Sequence, residues 1–174
     1  MYDRVRPPYP GDAIDWLLPP GAARVADVGA GTGKLTRQLR ERGLAVAEAA
    51  RVLTPGGRLC LLWNLRDERD DVVARLSEIM QSWESQDAGG HLPAVGPPFA
   101  PAERFDTEWV YRLPRDAVVD YVASRSYVIT KPDGEREAML CAVRELLATH
   151  PATAGGGEVS LPQVTRCTRA ELPH

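Results

Sequence analysis

The sequence predicts an α/β fold, because short apolar strands alternate with segments of helical periodicity. Residues 25–36, VADVGAGTGKLT, run from an apolar strand through a glycine-rich turn into a helix that begins near Leu35. A second apolar segment, residues 58–64, follows the turn formed by Pro55, Gly56 and Gly57. Elsewhere, apolar residues recur every three or four positions, as on the buried face of a helix. Strands that alternate with helices in this way are typical of an α/β architecture.

The helices that flank these strands are predicted from the same periodicity. Residues 10–18 form a short amphipathic helix whose core-facing residues are Ile14, Leu17 and Leu18. A longer helix runs from Asp70 to about Trp83, and its apolar residues at helical spacing are Val72, Val73, Leu76, Ile79 and Met80.

The last third of the chain alternates between strands and helices again. Segment 86–105 is rich in glycine, proline and alanine and is predicted to be a loop or lid. The later elements are a strand over 107–113, a helix from Pro114 to about Ser124, a helix over 134–149 capped by Asp133, and a strand or hairpin over 157–170. In that last segment the alternating residues are Val159, Leu161, Val164 and Cys167.

The glycine-rich turn after the first strand points to a ligand site. Gly29, Gly31 and Gly33 alternate along the turn, and residues without a Cβ let the backbone pass close to a ligand. The helix that follows presents unpaired N–H groups and the positive end of its dipole. Lys34 stands where the dinucleotide fingerprint needs glycine, and Leu35 where a P-loop needs serine or threonine. An adenosine-containing small molecule is the predicted ligand, and an ordinary glycine-rich turn is the alternative.

The pattern D-x-G-x-G-x-G, from Asp27 to Gly33, resembles the first motif of the class I S-adenosylmethionine (SAM)-dependent methyltransferases. In that family the acidic residue faces the methionine amino group and the glycine backbone lies against the ligand. The resemblance implies SAM as the cofactor and five cofactor-binding residues: Asp27, Gly29, Gly31, Thr32 and Gly33. It assigns no catalytic residue and no metal ligand.

Other segments extend this resemblance to most of the chain. Residues 2–10 match Y-x-x-x-R-P-x-Y-P, which is similar to the entry segment of a bacterial and fungal subgroup, methyltransferase type 11. Residues 49–65 and 109–170 are similar to the fifth-strand region and the closing third of that subgroup. The resemblance implies a single domain over residues 1–174, with a reduced Rossmann-like sheet, helices on both faces and one abbreviated sheet edge. It also suggests a cap over the site formed by Tyr2, Arg6 and Tyr9.

The chain departs from the family in its middle. Only residues 34–54 separate the glycine-rich turn from the Pro-Gly-Gly turn, where the family places strands two to four. Glu48 is either the ribose-binding acid at the end of a second strand or part of a helix, and the strong helix-forming residues around it favour the helix. A single helix over 34–53 costs about 1 kcal/mol for the internal Gly43. It would bring the first and fifth strands together and expose a sheet edge, which predicts a homodimer through that edge.

Two functions follow from these observations. The first is methyl transfer from SAM to a small-molecule acceptor. The second is a non-catalytic remnant or oligomerising module, because the missing middle removes most of the family's specific contacts with SAM. Near the end of the strand over 58–64, the polar residues Asn64, Arg66 and Asp67 are candidates for a ligand site, because ligands of open α/β sheets bind beyond the carboxyl ends of strands. A solvated charged turn is the alternative for these three residues.

Composition narrows the class of protein further. The 174-residue chain has a formal net charge of −3, which argues against a nucleic-acid partner. It has no apolar run long enough to span a membrane and no secretory signal, so a cytoplasmic location is expected. Three widely spaced cysteines, Cys60, Cys141 and Cys167, are expected to be reduced thiols without a zinc pattern. The three histidines, at positions 91, 150 and 174, are expected to have no catalytic role.

Overall fold

The fold is seen in a computed structural model that describes residues 5–22, 24–26, 45–47, 53, 56–81, 95 and 99–173. Five helices and five strands lie within these residues. The helices are α1 (Gly11–Leu17), α2 (Asp71–Ile79), α3 (Arg115–Ala123), α4 (Ser126–Ile129) and α5 (Asp133–Thr149). The strands are β1 (Arg24–Ala26), β2 (Ala45–Ala47), β3 (Arg58–Arg66), β4 (Glu103–Pro114) and β5 (Glu158–Glu171).

The described residues pack as two compact units. The first unit takes its residues from 1–7, 65–90 and 108–164, and the second from 8–64, 91–107 and 165–174. The organisation of the chain as a single domain stays a prediction.

A three-stranded sheet has the order β3-β5-β4, so β5 is the central strand. The amide of Gly56 donates to the carbonyl of Leu172 at 2.8 Å, and that of Asp67 donates to Pro162 at 3.0 Å. Residue numbers therefore rise along β3 as they fall along β5, which makes this pair antiparallel. The amide of Ala100 donates to Glu171 at 2.8 Å and that of Arg115 donates to Gly157 at 3.0 Å, so β4 is antiparallel to β5 by the same reasoning.

Strand β5 is one continuous strand, which decides between the strand and the hairpin predicted for residues 157–170. Its side chains alternate between buried and partly exposed, and Val159, Leu161 and Cys167 are buried as predicted. Val164 is only partly buried, because a period of two places Gln163 and Thr165 on the buried side. The sequence pattern was wrong at Val164 because the inward positions on either side of it are polar.

The first unit has a core formed by helices and the adjoining strand ends. Helix α5 packs against α2 and α3. Asp70 caps α2, because its side chain accepts a hydrogen bond of 3.0 Å from the amide of Val73. All but one of the predicted apolar residues of this helix are buried, and Ile79 packs partly buried against them. The fully buried residues at the centre of this core include Val73, Val118, Tyr121, Val122, Val128, Val143 and Leu161.

The second unit has a smaller core around α1. Ala13, Leu17 and Cys167 are buried together, and Leu62, Phe105 and Trp16 pack against them. The ring of Trp16 stacks on Phe105 with their centroids 5.5 Å apart. The guanidinium of Arg169 also lies over the ring of Trp16, at 4.1 Å from the ring centroid. Ile14 and Leu17 are buried as predicted, while Leu18 follows the helix as a partly buried residue.

The prediction of a single helix over 34–53 is wrong at its C-terminal part. Residues Ala45–Ala47 form strand β2, which pairs in parallel with β1. Within the described residues, β1 therefore lies beside β2, and β3 lies beside β5 rather than beside β1. Eighteen residues separate the two strands in the sequence, and a parallel pair needs a connection of a dozen or more. The pairing with β1 overrides the helix propensity of this alanine-rich segment.

Smaller differences occur at element ends. Strand β4 begins at Glu103, so the last residues of the segment predicted as a loop are strand. Helix α5 begins at Asp133 itself, with Pro132 at the N-cap position, so Asp133 is not the capping residue. Its carboxylate instead pairs with Arg136 at 2.9 Å, within the first turn. None of the helices in the described ranges is long and apolar enough to cross a membrane.

Candidate functional site

In the sequence, the two short parallel strands β1 and β2 each precede residues that are candidates for binding the cofactor. Arg24 pairs with Ala45, Val25 with Val46, and Ala26 with Ala47, so the two strands end level with each other. The carboxyl ends of parallel strands meet at one edge of a sheet, where open α/β sheets bind ligands. In the sequence, the next residue after β1 is Asp27, and the next residue after β2 is Glu48. Each of the two strands is thus followed directly in the sequence by an acidic residue.

The residues predicted to bind the cofactor lie outside the described residues. They are Asp27, Gly29, Gly31, Thr32 and Gly33, and Glu48 is outside as well. Their roles therefore stay predictions. The structure does describe β1, which precedes these residues in the sequence and lies within the strand predicted over residues 24–28.

Asn64, a candidate at the end of β3, is held by two other segments of its unit. Its Nδ2 donates to the carbonyl of Pro8 at 2.9 Å, and its Oδ1 accepts from the hydroxyl of Thr165 at 2.6 Å. Thr165 is fully buried, so this interaction joins β3 to β5 inside the unit. Both polar ends of the Asn64 amide are used to fix the chain ahead of α1. Thr165 was missed in the sequence because a threonine in a strand carries no signal of its partner.

Arg66 and Asp67 make structural contacts in the first unit. Arg66 donates from Nε to the hydroxyl of Ser77 at 2.9 Å, which ties β3 to α2. Asp67 accepts two hydrogen bonds from the side chain of Arg69, at 2.8 and 2.6 Å. These bonds from Arg69 lower the pKa of the Asp67 carboxyl. Arg69 is largely exposed and also pairs with Glu108 at 2.7 Å. Asp67 therefore belongs to a charged turn closed by Arg69, in which its own side chain is only 14% exposed.

The residues predicted to cap the site are only partly described. Arg6 donates from Nη2 to the carbonyl of Ser124 at 2.8 Å, at the C-terminal end of α3. A carbonyl at a helix C-terminus lacks an intrahelical donor, so this bond satisfies it. Tyr9 is partly buried, and Tyr2 lies outside the described residues. A role for these residues as a cap stays a prediction.

His150 is held at the C-terminal end of α5 by a partner that the sequence did not indicate. Its Nε2 donates to Asp71 in the first turn of α2 at 2.8 Å. Its Nδ1 accepts from the amide of Ala152 at 3.2 Å, which corresponds to the neutral tautomer protonated at Nε2. The hydrogen bond from His150, followed by that from Arg75, lowers the pKa of Asp71. His91 and His174 lie outside the described residues.

The cysteines in the described residues are free thiols. Surrounding atoms desolvate the Cys60 sulfur and raise its pKa to about 11, although the residue as a whole is exposed. Burial raises the pKa of Cys167 to about 12. Both thiols are therefore protonated at neutral pH and are poor nucleophiles. The part of the chain that the structure describes has no group of His, Cys, Asp and Glu residues that could hold a metal ion.

The fold is similar to one that is already known from a solved structure. The structure is similar to a solved structure assigned as a type II methyltransferase from Anaeromyxobacter dehalogenans, with a TM-score of 0.55 and 21% identity. The similarity covers 97% of this chain and 99% of the other. The chain therefore has an α/β fold of the reduced Rossmann-like type, with a small antiparallel sheet and helices. No protein-family model matches the sequence.

Sequence relatives define the family. Proteins named as uncharacterized methyltransferases in Mycobacterium bovis and in two strains of Mycobacterium tuberculosis are each 40% identical to this chain over 226 residues. The matches cover 98% of this chain and 92% of each relative. This chain belongs to the same methyltransferase family.

Proposed function

We propose that this methyltransferase uses SAM and acts on a small-molecule acceptor. The observation that carries the proposal is the parallel pairing of β1 and β2 in a register that ends both strands together. Asp27 and Glu48 follow those ends, and Gly29, Gly31 and Gly33 follow Asp27. An acid after each of two neighbouring strands suits a ligand with an amino group at one end and ribose hydroxyls at the other.

In this proposal each acid has its own role. The Asp27 carboxylate holds the methionine amino group, and the Glu48 carboxylate accepts hydrogen bonds from the ribose hydroxyls. The glycines allow close approach of the backbone to the ligand. The strand at Ala45–Ala47 supports the role of Glu48, because it supplies the second strand that such an acid must follow.

SAM supplies an activated methyl group on a sulfonium. The contribution of the protein is to bind and orient the cofactor and the acceptor so that the acceptor atom lies in line with the methyl group. No catalytic base is assigned, because positioning and exclusion of water supply much of the acceleration in such a transfer. The net charge of −3 supports a small molecule rather than a nucleic acid as the acceptor.

A second candidate function is a non-catalytic remnant that has lost most contacts with SAM. The alignment with the mycobacterial relatives is 226 residues long, whereas this chain has 174, so it includes positions at which this chain has no residue. This difference supports an internal shortening of the family's domain. In such a remnant, loss of the carboxylate–ribose interaction together with the adenine contacts weakens SAM binding by roughly 100-fold or more.

Isothermal titration with S-adenosylhomocysteine, the product of SAM, tests the two functions. We expect micromolar affinity for the unmodified protein and a loss of about tenfold or more in Asp27→Ala and in Glu48→Ala. Glu145→Ala serves as the matched control, since Glu145 is an exposed residue of α5, and its affinity should not change. Circular dichroism verifies that each variant is folded. An absence of heat up to millimolar ligand would support the remnant and exclude the enzyme.

A further inference from the structure

Strand β4 lies at an edge of the three-stranded sheet. Within the described residues its hydrogen-bonded neighbour is β5 alone. Half of the backbone N–H and C=O groups of an edge strand point away from the sheet and can pair with another strand. Natural edges are protected by bulges, prolines and charged side chains. Between Glu108 and Pro114, β4 has charged side chains with an exposed apolar residue between them.

That apolar residue is Val110, one of the large hydrophobic residues most exposed in the described chain, at 40%. Glu108 and Arg112 lie two positions before and after it, and both are exposed. A strand has a side-chain period of two, so the three residues share one face of β4. Trp109 and Tyr111 are on the opposite face, where their ring centroids are 5.9 Å apart and Tyr111 packs against the core.

This short face is complementary to itself. If two copies of β4 pair in antiparallel fashion with Val110 opposite Val110, Glu108 of each copy lies opposite Arg112 of the other. The interface then has an apolar pair at its centre and an opposite-charge pair on each side. Pairing centred on Glu108 or on Arg112 would instead place like charges opposite each other, which is destabilising. Among the registers centred on one of these three residues, the charges therefore favour the one centred on Val110.

Glu108 is available for such a pair. Its bond of 2.7 Å with Arg69 is between two side chains that are 67% and 69% exposed, and a surface pair of this kind contributes little free energy. One carboxylate also accepts more than one hydrogen bond, so Arg69 and a second Arg can share it.

We propose that β4 is a self-association edge, at which two copies of this chain form a continuous antiparallel sheet across a twofold axis through Val110. The contact is isologous, because each copy uses the same residues. It involves few residues compared with a stable interface of standard size, so the dimer is expected to be weak and to dissociate on dilution. The proposal does not depend on whether the chain binds SAM.

Sedimentation velocity of the full chain across a range of about 5 to 500 μM tests this proposal, because weak dimers are populated over such concentrations. We expect the weight-average mass to rise with concentration for the unmodified protein. In Glu108→Arg, the new arginine lies opposite Arg112 of the other copy at both ends of the interface. In Arg112→Glu, the new glutamate lies opposite Glu108 of the other copy at both ends. Each should weaken association about tenfold or more, and so should Val110→Lys.

The double variant Glu108→Arg, Arg112→Glu is the decisive measurement. It exchanges the two charges, so the opposite-charge pairs are restored and association should return close to that of the unmodified chain. Glu145→Arg is the control, as a charge reversal on the exposed side of α5. A mass that stays monomeric throughout overturns the proposal. So does association that the folded single variants leave unchanged, or that the double variant fails to restore.

Discussion

At the scale of single residues, the contact between His150 and Asp71 joins two helix ends of opposite polarity. Asp71 lies in the first turn of α2, where a negative charge is favoured by the helix dipole. His150 follows the last turn of α5 and donates to Asp71 at 2.8 Å, while Arg75 lies 3.2 Å from the same carboxylate oxygen. Asp71 therefore has two donors as well as a favourable position in the helix.

This contact predicts a dependence of stability on pH. The pKa of Asp71 is lower in the folded state than in the unfolded chain, so the carboxylate stabilises the fold above its unfolded pKa, near 4, and the stabilisation is lost as the pH falls through the folded pKa. Urea denaturation at pH 6 and at pH 3 measures the effect. The loss of unfolding free energy on acidification should be smaller in Asp71→Asn than in the unmodified protein. Asp116→Asn is the matched control, since Asp116 occupies the first turn of α3. Equal losses in both variants would contradict the prediction.

The sequence could predict only half of this interaction. The position of His150 after a helical segment indicated a residue near the negative end of a dipole. Its partner is 79 residues away in the chain, and no local pattern indicates which acid packs against it. The same limit applies to Asn64, whose partners Pro8 and Thr165 lie far from it in the sequence.

At the scale of secondary structure elements, β5 determines which residues of the sheet face the core of the first unit. Ser160 is exposed and Leu161 is fully buried, so two adjacent residues test the two faces of the strand. Leu161→Ala should lower the free energy of unfolding by about 2–5 kcal/mol, because it leaves a cavity in the core. Ser160→Ala should change it by less than about 0.5 kcal/mol. Urea unfolding of both variants measures the difference, and similar values for the two would contradict the observed register.

The elements that could be predicted are those with strong local signals. Helix α2 has a capping Asp70 and a regular apolar face, and α3 follows Pro114. Both helices were confirmed, although α2 ends at Ile79 and not near Trp83. Strand β2 was missed because its local sequence, rich in alanine, favours a helix, and only the pairing with β1 makes it a strand. The glycine motif gave the family, but the sequence alone did not decide whether Glu48 follows a strand. That decision depends on a contact between segments.

At the scale of the whole molecule, the described residues of the two units differ in the extent of the packed structure that they form. The first unit has a core that joins four helices to the strands, with Tyr121 and Val143 fully buried. The second includes β1 and β2, which pair over three residues each. Two short strands by themselves are marginally stable. If the proposed cofactor binds beyond the ends of these strands, its binding adds stability to this sheet.

Hydrogen exchange measured by mass spectrometry tests this difference. Without ligand, amides of β1 and β2 should exchange roughly 100-fold faster than those near Val143 and Leu161, because short two-stranded sheets open locally without unfolding the core. Saturating S-adenosylhomocysteine should slow exchange in β1 and β2 and leave the amides of α5 unchanged, since binding stabilises the strands that precede the proposed ligand residues. Equal protection of both regions without ligand would contradict the first expectation. If the ligand slowed exchange only in α5, the cofactor site would not lie at the ends of β1 and β2.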